Sequence, residues 1–116
     1  MKNFKKLRVR QKGIQIAGKC FQLVQTFPRE EKFGLSIQLT RAAVSIPSNL
    51  AEGSSRSSVK DQRRFVQIAL GSSIELETQL IIAETANFGE KLLRDKLLMD
   101  ITNSQRMISG YLEVLV

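Results

Sequence analysis

A chain of 116 residues suffices for one domain, residues 1–116, which can bury roughly two-thirds of its unfolded surface without disulfides or metal. With 42% hydrophobic and 25% charged residues, only two Pro, and abundant Leu, Ile, Ala, Gln, Glu, Lys and Arg, the composition favours a globular helical protein. The net charge of +7, the absence of His and the single Cys exclude a Ser-His-Asp arrangement, Cys-His catalysis, the usual zinc sites and any intrachain disulfide.

All of the excess charge lies at the start of the chain. Lys2, Lys5, Lys6, Arg8, Arg10, Lys12, Lys19 and Arg29 precede or surround the first helix, and no acid occurs before Glu30. The rest is close to neutral. Such asymmetry suits a polyanionic partner, the alternative being a solvated arm, residues 1–8, that aids solubility. Phe4 and Leu7 interleave this run. Residues 9–26 read as the first helix, with Ile14, Ala17, Phe21 and Val24 as its apolar stripe and Pro28 beyond its end. Cys20 falls on that side as a small core residue.

The second helix is expected over residues 33–53, with Leu35, Leu39, Ala42, Ile46 and Leu50 in one phase. Pro47 lies inside this pattern and cannot donate to the Ala43 carbonyl. A kinked but continuous helix follows, with the Asn49 amide expected to satisfy backbone groups near the proline. Gly53 and Ser54-Ser55-Arg56-Ser57 read as a stop and turn.

Ser58 with Asp61 three residues on forms a capping-box-like start to a third helix reaching about residue 86, with Phe65, Ala69, Ser72, Leu76, Leu80 and Ala83 inward. Asn87 and Gly89 mark the next turn. Glu90 suits the start of a fourth helix carrying Leu93, Leu97, Ile101, Ser104, Ile108, Tyr111 and Leu115. Short connections make this an all-α, antiparallel up-down-up-down four-helix bundle.

Two helices are apolar on more than one side. Ile37, Val44 and Ala51 oppose the main stripe of the second helix, and Leu70, Ile74, Ile81 and Phe88 oppose that of the third. Another chain is the economical cover, which makes Ile37, Val44, Leu70, Ile74, Glu77 and Ile81 the expected oligomer interface. Glu77 lies within the third helix's second stripe, either as an exposed surface carboxylate or in an inter-helix or inter-subunit pair, for which Arg41, Arg63 and Arg64 are the candidate cations. Lys5, Lys6, Arg8, Arg10 and Lys12, with a second cluster at Arg56, Lys60, Arg63 and Arg64, are the expected nucleic-acid contacts. Ser54, Ser55, Ser57 and Ser58 can add hydrogen bonds, and Phe4 and Tyr111 are the aromatics available for base stacking.

The stretch Phe27-Pro28-Arg29-Glu30-Glu31-Lys32-Phe33-Gly34-Leu35 resembles the four-helix-bundle proteins encoded in 23S rRNA intervening sequences. So do Arg41-Ala42-Ala43-Val44-Ser45-Ile46-Pro47-Ser48-Asn49-Leu50-Ala51-Glu52-Gly53, Phe65, Ile68-Ala69-Leu70-Gly71-Ser72 and Glu75-Leu76-Glu77-Thr78-Gln79-Leu80. Arg10 is a departure, since the family often has an aromatic residue there. The resemblance implies a bacterial homopentamer and, more distantly, kinship with the accessory protein of diversity-generating retroelements, which works beside a reverse transcriptase.

The expectation is therefore a non-catalytic homo-oligomeric scaffold that binds RNA or DNA, without cofactor or metal. The alternative is a protein-interaction adaptor or an accessory subunit of a nucleic-acid enzyme. A cytoplasmic location is expected, with no membrane partner, since no secretory signal or long apolar run is evident.

Overall fold

The computed structural model describes residues 2–116, with side chains from Lys5 onward. Four helices account for nearly all of it: α1 (Lys2–Val24), α2 (Leu35–Ser54), α3 (Val59–Thr85) and α4 (Lys91–Val114), with a 3₁₀ turn at Arg29–Glu31. No described helix is long and apolar enough to cross a membrane.

Contacts between chain neighbours run in opposite directions along each pair. Gly13 lies against Ile46 and Pro47, while Phe21 meets Ile37 across the same groove, so α1 and α2 are antiparallel. Ser45 bonds Ser72 at 2.8 Å and Gly53 abuts Phe65, which sets α2 against α3. Gln105 Nε2 donates to Glu77 at 3.3 Å, and Arg63 reaches the end of α4, which sets α3 against α4. Lys19 holds Asp100 and Thr26 meets Glu90, so α4 returns beside α1.

The core follows helical spacing on each element. Leu39, Ala42, Ile46 and Leu50 of α2 are buried, as are Ala69, Leu76, Leu80 and Ala83 of α3 and Leu97, Ile101, Ile108, Tyr111 and Leu115 of α4. On α1 the inward stripe differs from expectation. Val9, Ile16, Cys20, Leu23 and Phe27 are buried, whereas Ile14 and Phe21 are 56% and 50% exposed. Gly13 explains the choice: its missing side chain lets α1 approach Ile46 and Pro47, with a would-be Cβ only 3.3 Å from both, and this turns Ile16 inward.

The helix also begins earlier than residue 9, at Lys2. Val9 packs fully into the core that also holds Leu115, so the length of α4 gives the basic segment a surface to dock on. Residues 2–8 are therefore the first turns of α1; Met1 lies outside the described residues and Phe4 outside the described side chains.

The helix ends are set by local hydrogen bonds. Ser58 Oγ accepts from the Asp61 amide at 3.1 Å, and the Glu90 carboxylate accepts from the amides of Leu92 and Leu93 at 3.2 and 2.7 Å. At the end of α3, Asn87 adopts φ 59° while Phe88 N–H donates back to the Ala83 carbonyl at 2.8 Å, a Schellman closure. Gly89 has φ 87° and abuts Phe27, where a Cβ would lie 2.7 Å from the ring. Arg94, buried, clamps this turn by donating to the carbonyls of Phe88 and Gly89.

α2 runs unbroken through Pro47 to Ser54, so Gly53 is not its stop. Gly53 is instead buried within the helix where α3 passes, a would-be Cβ lying 3.0 Å from Cβ of Phe65. Asn49 does not serve the carbonyl orphaned by Pro47. Its amide donates to the Ser45 carbonyl and hydroxyl at 2.8 and 2.9 Å, and Ser45 continues the chain to Ser72 of α3.

Candidate nucleic-acid interface

The cations at the start of the chain divide around α1. At 100° per residue, Lys5, Arg8, Lys12 and Lys19 fall along the edge that faces α4, while Lys6 and Arg10 turn toward α2. On the α4 side they meet a second set of polar groups. Arg8, Gln11, Lys12 and Gln15 of α1 and Asn103, Arg106 and Met107 of α4 line an open cleft of about 550 Å³. A smaller hollow beside it is bounded by Lys5, Arg8, Val9, Met107 and Gly110, so the furrow continues toward the start of α1.

One carboxylate lies in this seam. Asp100, 7% exposed, accepts from Lys12 Nζ at 3.1 Å and Lys19 Nζ at 2.9 Å. Burial alone would raise its pKa, but the hydrogen bonds and charges of the two lysines outweigh it and hold the carboxyl below its ordinary value. Lys12 is thus partly neutralised. Arg106 is exposed and makes no ion pair among the described residues.

The second basic cluster is differently placed. Arg63 is spent on the end of α4, where its Nη1 donates to the Leu115 carbonyl and, beside the Leu115 N–H, to the Leu112 carbonyl. Arg56 pairs with Glu52 at 3.0 Å and stacks on Phe65 at 4.7 Å from the ring centroid. Arg64 covers the same ring at 4.8 Å. Lys60 stands exposed. Tyr111 is buried, with its phenol pushed up by that burial, so it offers no face to a base. Cys20 is fully enclosed and burial raises its thiol to about 12, as an inert core residue requires.

The six expected interface positions form two patches. Ile37 and Val44 lie on the α1 side of α2, and Ile37 lines a groove of about 450 Å³ with Phe21. Ile14, two turns before Phe21, and Leu7, two turns before that, extend this apolar seam on α1, and all three are about half exposed. Leu70, Ile74, Glu77 and Ile81 lie instead toward α4. Glu77 accepts from Gln105 rather than from Arg41, Arg63 or Arg64, with the exposed Ile74 and Ile81 one turn to either side. Leu70 is half-buried against the core, and Phe88 lies beyond α3, packed on Phe27 at 6.0 Å between centroids.

Sequence reasoning missed Arg106, Asn103, Gln11 and Gln15. The spacing of Arg8, Gln11, Lys12, Gln15 and Lys19 along one edge of α1 was legible. That Arg106 would join them depends on which helix lies alongside.

The fold and the site together define an antiparallel four-helix bundle with a cationic furrow between its first and last helices. Residues 5–110 match the sequence profile of the 23S rRNA-intervening sequence proteins, and the chain belongs to that family. A crystal structure from Bacteroides thetaiotaomicron, described as a protein of unknown function from the S23 ribosomal protein family, has the same fold. It aligns with a TM-score of 0.87 at 22% identity, over 95% of this chain and 99% of that one. No curated protein matches.

Proposed function

We propose that this protein is a non-catalytic, homo-oligomeric scaffold that binds RNA or DNA through its basic surfaces, assembled as the pentamer its family resemblance implies. One observation carries the reading: the bundle's faces are chemically divided. The α1–α2 face is apolar along Leu7, Ile14, Phe21, Ile37 and Val44, and the opposite α3–α4 face along Ile74 and Ile81. The α1–α4 face between them is cationic.

A ring needs two different surfaces on each subunit that complement one another head to tail. Two apolar faces on opposite sides of the bundle suit that need, and leave the α1–α4 furrow open on every subunit. The charge pattern of α1 adds support. Its first turn has no acidic residue, so cations crowd the positive end of the helix dipole, an arrangement that a bound polyanion relieves.

The test joins mass to binding. Light scattering at micromolar concentration is expected to give a single closed oligomer, and fluorescence anisotropy with RNA and DNA oligomers is expected to give affinity that falls steeply with salt. A monomeric mass would overturn the assembly. Correctly assembled protein that binds neither nucleic acid at about 50 mM salt would favour a protein-adaptor role instead.

A further inference from the structure

We infer that the furrow between α1 and α4 is a phosphodiester-binding track in which Arg106 of the last helix acts with Arg8 and Lys12 of the first. The inference rests on the nucleic-acid reading above and assigns it a place. Three features argue for it.

The first is donor chemistry. Within a cleft of about 550 Å³ the guanidiniums of Arg8 and Arg106 and the Lys12 ammonium are interleaved with the amides of Gln11, Gln15 and Asn103. Guanidinium offers forked donors to phosphate oxygens and amides add neutral ones, the mixture that phosphate backbones recruit. Asp100, beside the furrow, is turned onto Lys12 and Lys19, and Arg106 makes no ion pair among the described residues, so its guanidinium keeps its charge for a ligand.

The second feature is length. From Lys5 to Lys19 the cationic edge of α1 spans 14 residues of helix, about 21 Å at 1.5 Å per residue. One free phosphate or mononucleotide would occupy a fraction of that. A stacked strand carries a phosphate about every 3.4 Å and would place roughly six along it.

The third is what the furrow lacks. Among the described side chains its lining contains no aromatic, and the apolar contribution is Met107. Those side chains give a base nothing to stack on and hold the backbone instead, so they discriminate little between sequences.

The closing experiment compares two single neutralisations that change net charge equally. Arg106→Gln removes the furrow's partner on α4, and Lys32→Gln removes an exposed cation at the α1–α2 turn. Both are checked for native oligomeric mass and helicity, then titrated by anisotropy against labelled U12 RNA and dT12 DNA at several salt concentrations. Arg106→Gln is expected to weaken binding roughly fivefold and flatten the salt slope by about 0.7, with Lys32→Gln near native in both. Arg106→Lys should recover most of the slope.

Equal effects of the two neutralisations on otherwise sound binding would overturn the furrow while leaving nucleic-acid binding intact. Native protein that binds neither oligomer would overturn both. Polyglutamate that displaces U12 as well as unlabelled U12 does would assign the furrow to acidic protein segments instead. The same 0.7 change with RNA but none with DNA would restrict the track to RNA and uphold it.

Discussion

Replacing Asp100 with Asn tests the buried carboxylate that ties the first helix to the last through two lysines. Asp100 accepts two charge-assisted hydrogen bonds, from lysines 21% and 30% exposed, so water already meets part of their charge. Such bonds contribute about 1.5–3 kcal/mol each when dry and less when wet, and Asn retains one carbonyl to accept from one lysine. The expected loss is therefore about 2 kcal/mol at neutral pH, or about 8 °C in Tm for a chain of this size.

The pH dependence has a definite sign. Because Asp100's carboxyl is held below its ordinary value, its contribution is fully present above the unfolded carboxylate range and fades as pH falls through the lower folded value. Urea denaturation of both proteins at pH 7 and pH 3, at one fixed protein concentration, reads both effects. The gap should be about 2 kcal/mol at pH 7 and narrower at pH 3, below the ordinary carboxylate value, where the unfolded chain already binds the proton. An Asn variant within about 0.5 kcal/mol of native at pH 7 would refute the assignment of Asp100 as the clasp between α1 and α4.

Ile74→Glu should yield a folded monomer by light scattering and circular dichroism, since Ile74 is half exposed and the core does not use it. Exchanging Lys5, Lys6, Arg8, Arg10 and Lys12 together for Gln should weaken RNA and DNA binding alike and flatten the salt slope by several units of about 0.7–0.9 each, read by anisotropy. Arg63→Ala should cost about 1–3 kcal/mol in urea denaturation because the Leu115 carbonyl loses its donor and the Leu112 carbonyl keeps only the Leu115 N–H, while RNA affinity falls less than for Arg106→Gln. Cys20 should react with a thiol reagent only as fast as the protein opens, so labelling should accelerate together with unfolding in urea.

The legible and illegible parts of this protein differ by range. The α3 cap at Ser58, the Asn87–Gly89 turn and the stripes of α2 and α4 depend on neighbours within a few residues, and periodicity reveals them. On α1, two stripes share the same sevenfold spacing, Val9, Ile16 and Leu23 beside Leu7, Ile14 and Phe21. Which turns inward depends on Gly13 meeting Pro47, a contact across two helices. Arg63 shows the same limit. Its cluster with Arg64 suggested a phosphate site, but its partners lie 49 and 52 residues away. The apolar surplus was read correctly as a surplus, yet Ile37 and Ile74 belong to different faces because their helices expose opposite edges of the bundle.

The furrow has a further consequence for the order of events in synthesis. Its two walls, around Arg8 and Arg106, come from the first and last helices, nearly the whole chain apart. A chain still emerging from the ribosome carries the cations of α1 but no opposing wall until α4 has followed the other three helices, and such long closures come late. The proposed track is therefore assembled only once α4 has docked against α1. A partly made or misdocked copy would hold the same cations on a loose helix, without Arg106 opposite them.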